Sequence, residues 1–204
     1  MTHRQVDKAS FAREYFTGLK AVMDRVDIGQ VAAFVGELER AYQEDRQVFI
    51  VGNGGSAATA SHMACDLAKT VLGKKPDRTK RRFRVMSLTD NVPLITAIAN
   101  DLGYEHVFTE QLVLFARPGD LLVVITGSGN SPNVVNAVRR AQEMGLRTTG
   151  LLGFDGGEVL PLLDTPLLIP DFNYGFVEDL HMVLYHLVTA YFAHQLQAPR
   201  RATG

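Results

Sequence analysis

The chain has 204 residues, 46% hydrophobic and 21% charged, with a formal net charge of −1. That is enough to bury a continuous core, and it gives no global attraction to nucleic acid or an anionic membrane. A single cysteine, Cys65, excludes an internal disulfide framework, and no apolar run approaches the ~20 residues that span a bilayer.

Met1 to Asp24 mixes charges through its apolar positions and lacks a signal core, so a reducing cytoplasm is the expected setting. Phe11, Tyr15, Phe16, Leu19 and Val22 recur at helical spacing, as do Val31, Phe34, Val35, Leu38 and Tyr42. They predict a helical pair over 1–45, broken near Val26–Gly29. Strands then alternate with helices. Gln47–Val51, Phe83–Leu88, Asp120–Ile125, Arg147–Leu152 and Thr165–Ile169 read as strands. Helices are predicted at Ala57–Val71, Pro93–Asn100, Tyr104–Phe115, Pro132–Met144 (ended by Gly145) and Tyr174–Gln195. Met182–Phe192, the most apolar stretch, is interrupted by His186 and too short to span a membrane. The pattern predicts one α/β domain over 1–204: a flavodoxin-like three-layer α/β/α sandwich at 46–196 on a parallel five-stranded sheet, with a tail at 197–204.

In such sheets ligands sit beyond the carboxyl ends of the strands. Two of those loops are unusual: Gly52-Asn53-Gly54-Gly55-Ser56 and Thr126-Gly127-Ser128-Gly129-Asn130-Ser131. Glycines admit a ligand close to the backbone, and the helix that follows offers free N–H groups and a positive dipole end. With the hydroxyls of Ser56, Thr126, Ser128 and Ser131 these loops form a phosphate cradle that needs no lysine. Tight turns with serine caps are the plainer reading of either loop alone; two at corresponding positions favour a phosphorylated ligand. Gly52, Gly54 and Ala57 also satisfy the dinucleotide fingerprint. That fingerprint wants an acid ~20 residues on, where Leu67 and Ala68 fall inside a helix, so dinucleotide binding is disfavoured.

The runs Gly52-Asn-Gly-Gly-Ser-Ala, Ala97-Ile-Ala-Asn-Asp-Leu-Gly103, Ser128-Gly-Asn-Ser131 and Gly153-Phe-Asp-Gly-Gly157 resemble the phosphoheptose isomerase branch of the sugar isomerase (SIS) family, over about Val31 to Tyr191. The resemblance implies an aldose–ketose isomerase that converts sedoheptulose 7-phosphate to D-glycero-D-manno-heptose 7-phosphate. The alternative is a non-catalytic SIS module that binds a sugar phosphate or a protein partner. It also implies a metal and catalytic cluster, with zinc as the metal, on positions that fall at His62, Asp66, Glu178 and His186, with Asp66 and His186 catalytic. Asp66 stands where the family has glutamate, ~1.5 Å shorter in reach, and Glu178 where it has glutamine; both keep oxygen donors. Asn53, Gly54, Gly55, Asp90, Asn91, Gly127 and Glu178 are the expected further substrate contacts. A homotetramer with shared sites is also implied by the resemblance.

His62 and Asp66 lie four apart and share a helix face, and Glu178 and His186, eight apart, share another; His181 points about a third of a turn away. Each also has a bland reading, as a satisfied histidine or a solvated acid. Lys74–Arg84 carries seven basic residues and one acid, read as a solvated rim and not a nucleic-acid patch. Cys65 reads as a small buried residue, and Asp155-Gly-Gly157 as a turn without chemistry.

Overall fold

Two helices open the structure, a computed structural model that describes residues 7–74 and 76–197. α1 (Lys8–Met23) and α2 (Ile28–Gln43) each start at an aspartate. The Asp7 carboxylate accepts from the amides of Ala9 and Ser10, and that of Asp27 from Gly29 and Gln30. These bonds satisfy amides that a helix start leaves unpaired. The chain then runs through β1 (Gln47–Gly52), α3 (Gly55–Ala68), β2 (Arg84–Ser87), α4 (Val92–Asp101), α5 (Thr109–Phe115), β3 (Leu121–Thr126), α6 (Pro132–Glu143), β4 (Arg147–Leu152), β5 (Thr165–Leu168) and α7 (Tyr174–Gln197).

The sheet order is β2-β1-β3-β4-β5, parallel throughout, as the flavodoxin-like expectation requires. Alternate strand residues feed two cores. Val48, Ile50, Leu121 and Val123 pack with Phe34 and Leu38 of α2, Met63 of α3 and Tyr185 of α7. Phe49, Val51, Leu122 and Val124 pack with Ile98 of α4, Leu112 of α5 and Val134 and Val138 of α6. Helices therefore cover both faces. β1 and β3 are neighbours at the point where the strand order reverses, so the two glycine loops leave the sheet side by side.

Several boundaries differ from expectation. The predicted helix Tyr104–Phe115 is two pieces, a 3-10 turn at Tyr104–His106 and then α5. Gly103, at φ +107°, turns the chain, and the Thr109 hydroxyl donates to the His106 carbonyl at 3.0 Å, closing the turn. The helix expected over Ala57–Val71 begins earlier, at Gly55, and ends at Ala68 before a 3-10 turn at Thr70–Leu72. Cys65 is exposed, not buried. On α3 the buried set is Ser56, Thr59, Ala60, Met63, Ala64, Asp66 and Leu67, which leaves Cys65 on the outer stripe with Ala58 and His62.

The basic stretch acquires a role. Lys80 donates to the Leu196 carbonyl at 2.7 Å, Arg81 to the carbonyls of Tyr42 and Gln43, and Arg84 to that of Asp45 at 2.9 Å. These cations sit at the carboxyl ends of α7 and α2, where the helix dipoles are negative. Lys75 and the tail beyond Gln197 lie outside the described residues. A half-buried ion pair joins α2 to the sheet: Arg147 donates twice to Glu37, at 2.6 Å each, and the Thr165 hydroxyl donates to the same carboxylate at 3.3 Å. No helix among the described residues is long and apolar enough to cross a membrane.

Candidate active site

The first glycine loop joins β1 to α3. Gly54 precedes the helix at φ +55°, where a side chain would be strained. Asn53 does not stand free. Its Oδ1 accepts from the Tyr104 hydroxyl at 3.0 Å and from Asn133 Nδ2 at 2.9 Å, and its Nδ2 donates to Asn133 Oδ1 at 2.8 Å. One amide hydrogen of Asn53 remains for a ligand. Asn53, Tyr104, Glu105, Ser131, Pro132, Asn133 and Asn136 line a cavity of 490 Å³ between the two loops.

The second loop joins β3 to α6. The Thr126 hydroxyl accepts from the Gly129 amide at 3.1 Å, and that of Ser128 from the Asn130 amide at 3.3 Å. Ser131 occupies the N-cap of α6, yet its hydroxyl makes no capping bond. Pro132 has no N–H, and the Val134 and Val135 amides both donate to the Ser131 carbonyl at 3.0 Å, so the first turn of α6 leaves the Asn133 amide to face an anion. Ser56 and Thr126 are buried, while Ser128 and Ser131 reach solvent. Gly127 lies under the Tyr174 ring: a Cβ there would stand 2.9 Å from Tyr174 Cε1. The Asp155-Gly-Gly157 turn, expected to carry no chemistry, supports this loop from behind. The Val159 amide donates to the Gly129 carbonyl at 3.1 Å, the Glu158 amide to Asn130 Oδ1 at 2.9 Å, and a Cβ on Gly129 would fall 2.0 Å from the Gly156 carbonyl oxygen.

Further along α3 the titratable cluster assembles. Among the described residues, His62, Asp66 and His186 bring ligand atoms within 4.8 Å of one another. His62 Nε2 lies 3.8 Å from Asp66 Oδ2, and the two imidazoles meet edge to face with centroids 5.4 Å apart. His62 Nδ1 is bonded to the Tyr185 hydroxyl at 2.5 Å, and the Thr70 hydroxyl donates to Asp66 Oδ1 at 2.8 Å. Burial first, and then the Asp66 carboxylate, push the Tyr185 phenol up to about 12. Two imidazoles and a carboxylate are the donor set of a borderline divalent metal with a position left open for water or substrate, so these residues fit such an ion.

Glu178 stands apart from that cluster. Its carboxylate lies over Gly55, where a Cβ would meet Oε1 at 2.8 Å. α3 and α7 run side by side in the same direction, so Glu178 faces Gly55 while Tyr185 and His186 face His62, two turns further on. The carboxylate thus sits at the amino end of α3, which favours negative charge. Asp90 accepts from the Ser61 hydroxyl and lines a separate cavity of 470 Å³ with Cys65, Met86 and Phe115. Asn91 caps α4, its Oδ1 accepting from the Leu94 amide at 3.2 Å; both lie beside α3 and away from the second loop. His181 is buried, with no hydrogen-bond partner for either ring nitrogen among the described residues. Burial pushes its pKa down to about 4, against a smaller opposing pull from the Leu152 carbonyl.

The SIS domain profile matches residues 14–153, more than half the chain. The chain belongs to the SIS family. A SIS relative named phosphoheptose isomerase in Geotalea daltonii is 37% identical over 172 residues, covering 84% of this chain and 87% of its own. Another of that name in Pelobacter propionicus is 36% identical over 159 residues, covering 78% and 81%. The solved phosphoheptose isomerase of Neisseria gonorrhoeae superposes with a TM-score of 0.81 at 28% identity, over 91% of this SIS chain and 98% of its own. Tyr104, Asn133, Thr70 and Tyr185 were not among the sequence candidates. Tyr185 is separated from its partner His62 by 123 positions and Asn133 from Asn53 by 80, and no local motif signals such a contact.

Proposed function

We propose that this protein is an aldose–ketose isomerase of sugar phosphates, one SIS domain over the length of the chain, interconverting sedoheptulose 7-phosphate and D-glycero-D-manno-heptose 7-phosphate in the cytoplasm. The observation that carries the reading is the convergence of His62, Asp66 and His186 along the helix that the first glycine loop begins. The phosphoheptose isomerase relatives at 37% and 36% identity support it.

The phosphate is received by Ser128 and Ser131, by the loop that Thr126 ties together, and by the Asn133 amide in the first turn of α6. Gly127 makes room for the Tyr174 ring beside that loop, and Gly54, Gly55 and Ser56 form the opposite wall with Glu178. Asn53 offers its remaining amide hydrogen to a sugar hydroxyl. Asp90 and Asn91 are weaker candidates for that contact, since Asp90 already accepts from Ser61 of α3 and Asn91 from the first turn of the helix it caps.

The chemistry moves a proton between adjacent carbons. Asp66 takes the proton from C1 of the ketose; the C–H pair becomes the C1=C2 bond and the carbonyl pair moves onto the C2 oxygen. His186 delivers a proton to that oxygen and takes one from the C1 hydroxyl as the aldehyde forms. Asp66 returns its proton to C2, so both groups end as they began. A zinc ion on His62, Asp66 and His186, with Glu178 able to join only by leaving Gly55, supplies Lewis-acid polarisation of the carbonyl when bound.

The test is turnover of sedoheptulose 7-phosphate with zinc and after chelation. Chelation abolishes aldoheptose phosphate formation and zinc restores it. His186→Gln lowers kcat by about 100-fold or more; unchanged turnover overturns the assignment. Saturable sugar-phosphate binding without product under either condition indicates a sensor module instead.

A further inference from the structure

We infer that Tyr185 and Thr70 are positioning residues that hold His62 and Asp66 from behind, so that Nε2 of the one and Oδ2 of the other face a shared divalent metal. The inference rests on the metal-assisted reading above.

His62 lies on the outer stripe of α3 and its side chain is 49% exposed. An imidazole so placed has free choice of rotamer unless something ties it. Here Nδ1 is tied to the Tyr185 hydroxyl at 2.5 Å, and the tyrosine is completely buried in the core under α3 and α7. The anchor is therefore set by core packing and the ligand is turned by it. The opposite nitrogen, Nε2, is left pointing at Asp66 Oδ2.

The chemistry of the pair suits a metal ligand. A neutral imidazole carries one N–H and one lone pair. For Nε2 to give its lone pair to a cation, the hydrogen must sit on Nδ1 and needs an acceptor. The Tyr185 oxygen is that acceptor. With no cation bound, the same phenol can donate to Nδ1 while Nε2–H turns toward Asp66. A hydroxyl serves both tautomers because it donates and accepts; a phenylalanine serves neither.

Asp66 is treated in the same way. Its side chain is 11% exposed, and the Thr70 hydroxyl, one helical turn on, holds Oδ1 at 2.8 Å. That leaves Oδ2 directed at His62 and favours one-oxygen ligation. The shorter acid is thus aimed by a neighbour. Partners of this kind, bonded to the far side of a ligand, commonly contribute about 10–100-fold in metal affinity.

The experiment measures metal binding itself. Full-length protein is stripped with a chelator and titrated with zinc against a chromophoric competitor, and separately with cobalt(II), whose visible absorption reports ligand geometry. Tyr185→Phe weakens zinc about 10–100-fold and alters the cobalt spectrum. Thr70→Val weakens it also, and Thr70→Ser restores it, which a purely structural role for the threonine does not predict. Far-ultraviolet circular dichroism and melting of the stripped variants establish that each is folded. Wild-type affinity and spectrum in folded Tyr185→Phe and Thr70→Val overturn the inference and leave the metal reading intact. A wild-type chain that binds neither ion more tightly than a His62→Ala variant overturns both.

Discussion

Glu178 shows how one side chain tunes a site without joining its reactive cluster. Its carboxylate rests on Gly55 at the amino end of α3, where a glutamine would present no charge to an incoming phosphate. Removing that charge relieves a repulsion of the size of other exposed charge interactions, about 0.2–1 kcal/mol. Glu178→Gln therefore lowers KM for the sugar phosphate by up to about fivefold with little change in kcat, read from initial rates. The sequence located Glu178 on the helix that carries His186, and spacing placed both on roughly one face. It could not show that eight residues of rise along α7 match the rise of α3, so that the acid meets the start of that helix and the imidazole its middle. Asp90 and Asn91 illustrate the same limit. Each is polar and close to a strand end, but hydrogen bonds within their own neighbourhood decide what they are free to do.

At the scale of elements, the strands were legible because parallel strands buried on both faces read as unbroken apolar runs, as Leu121 to Ile125 do. Helix ends were less legible, since caps and turns such as Gly103 and Thr109 depend on contacts the periodicity does not carry. The pair between Glu37 and Arg147 was not foreseen, although it ties α2 to β4 and β5. Hydrogen bonding from Arg147 holds the Glu37 carboxyl below its ordinary value of 4.5. Its contribution is therefore whole above that value and is lost as pH falls through the lowered one. Arg147→Met leaves a buried carboxylate with only the Thr165 hydroxyl among its three donated bonds and costs about 2 kcal/mol at neutral pH, measured by urea unfolding. His181 adds a second acid-sensitive term. Its folded value of about 4 lies below the ordinary 6.5, so the unfolded chain binds the additional proton between them. Stability then declines as pH falls from 6.5 to about 4, by at most about 3 kcal/mol. His181→Leu flattens that part of the profile in urea melts taken at several pH values.

Across the whole molecule, apolar surface is concentrated on a few elements. Met182, Val183 and Leu187 stand exposed on α7, and Phe11 and Phe16 on α1, two helices joined by the hydrogen bond from Tyr15 to Asp179. Large apolar side chains exposed together on helices are typical of subunit contacts. We expect a homotetramer, with light scattering giving a mass near four times 22.4 kDa; a single-chain mass contradicts it, and Leu187→Glu shifts the population to smaller species.

The close approach of Gly129 to Gly156 has a consequence for how the protein breathes. Two backbones that leave no room for a methyl group between them, in segments joined by the hydrogen bond from the Val159 amide to the Gly129 carbonyl, must separate together or not at all. The second loop is consequently a braced wall, tied through the turn after β4 to the centre of the sheet. Whatever opening admits a seven-carbon chain has to come from the side chains around that wall, where exposed Tyr104 bonds to Asn53 and exposed Tyr174 lies over Gly127 against Phe154. We expect entry and release to follow the swing of these two rings on their side-chain torsions, with no parting of the sheet.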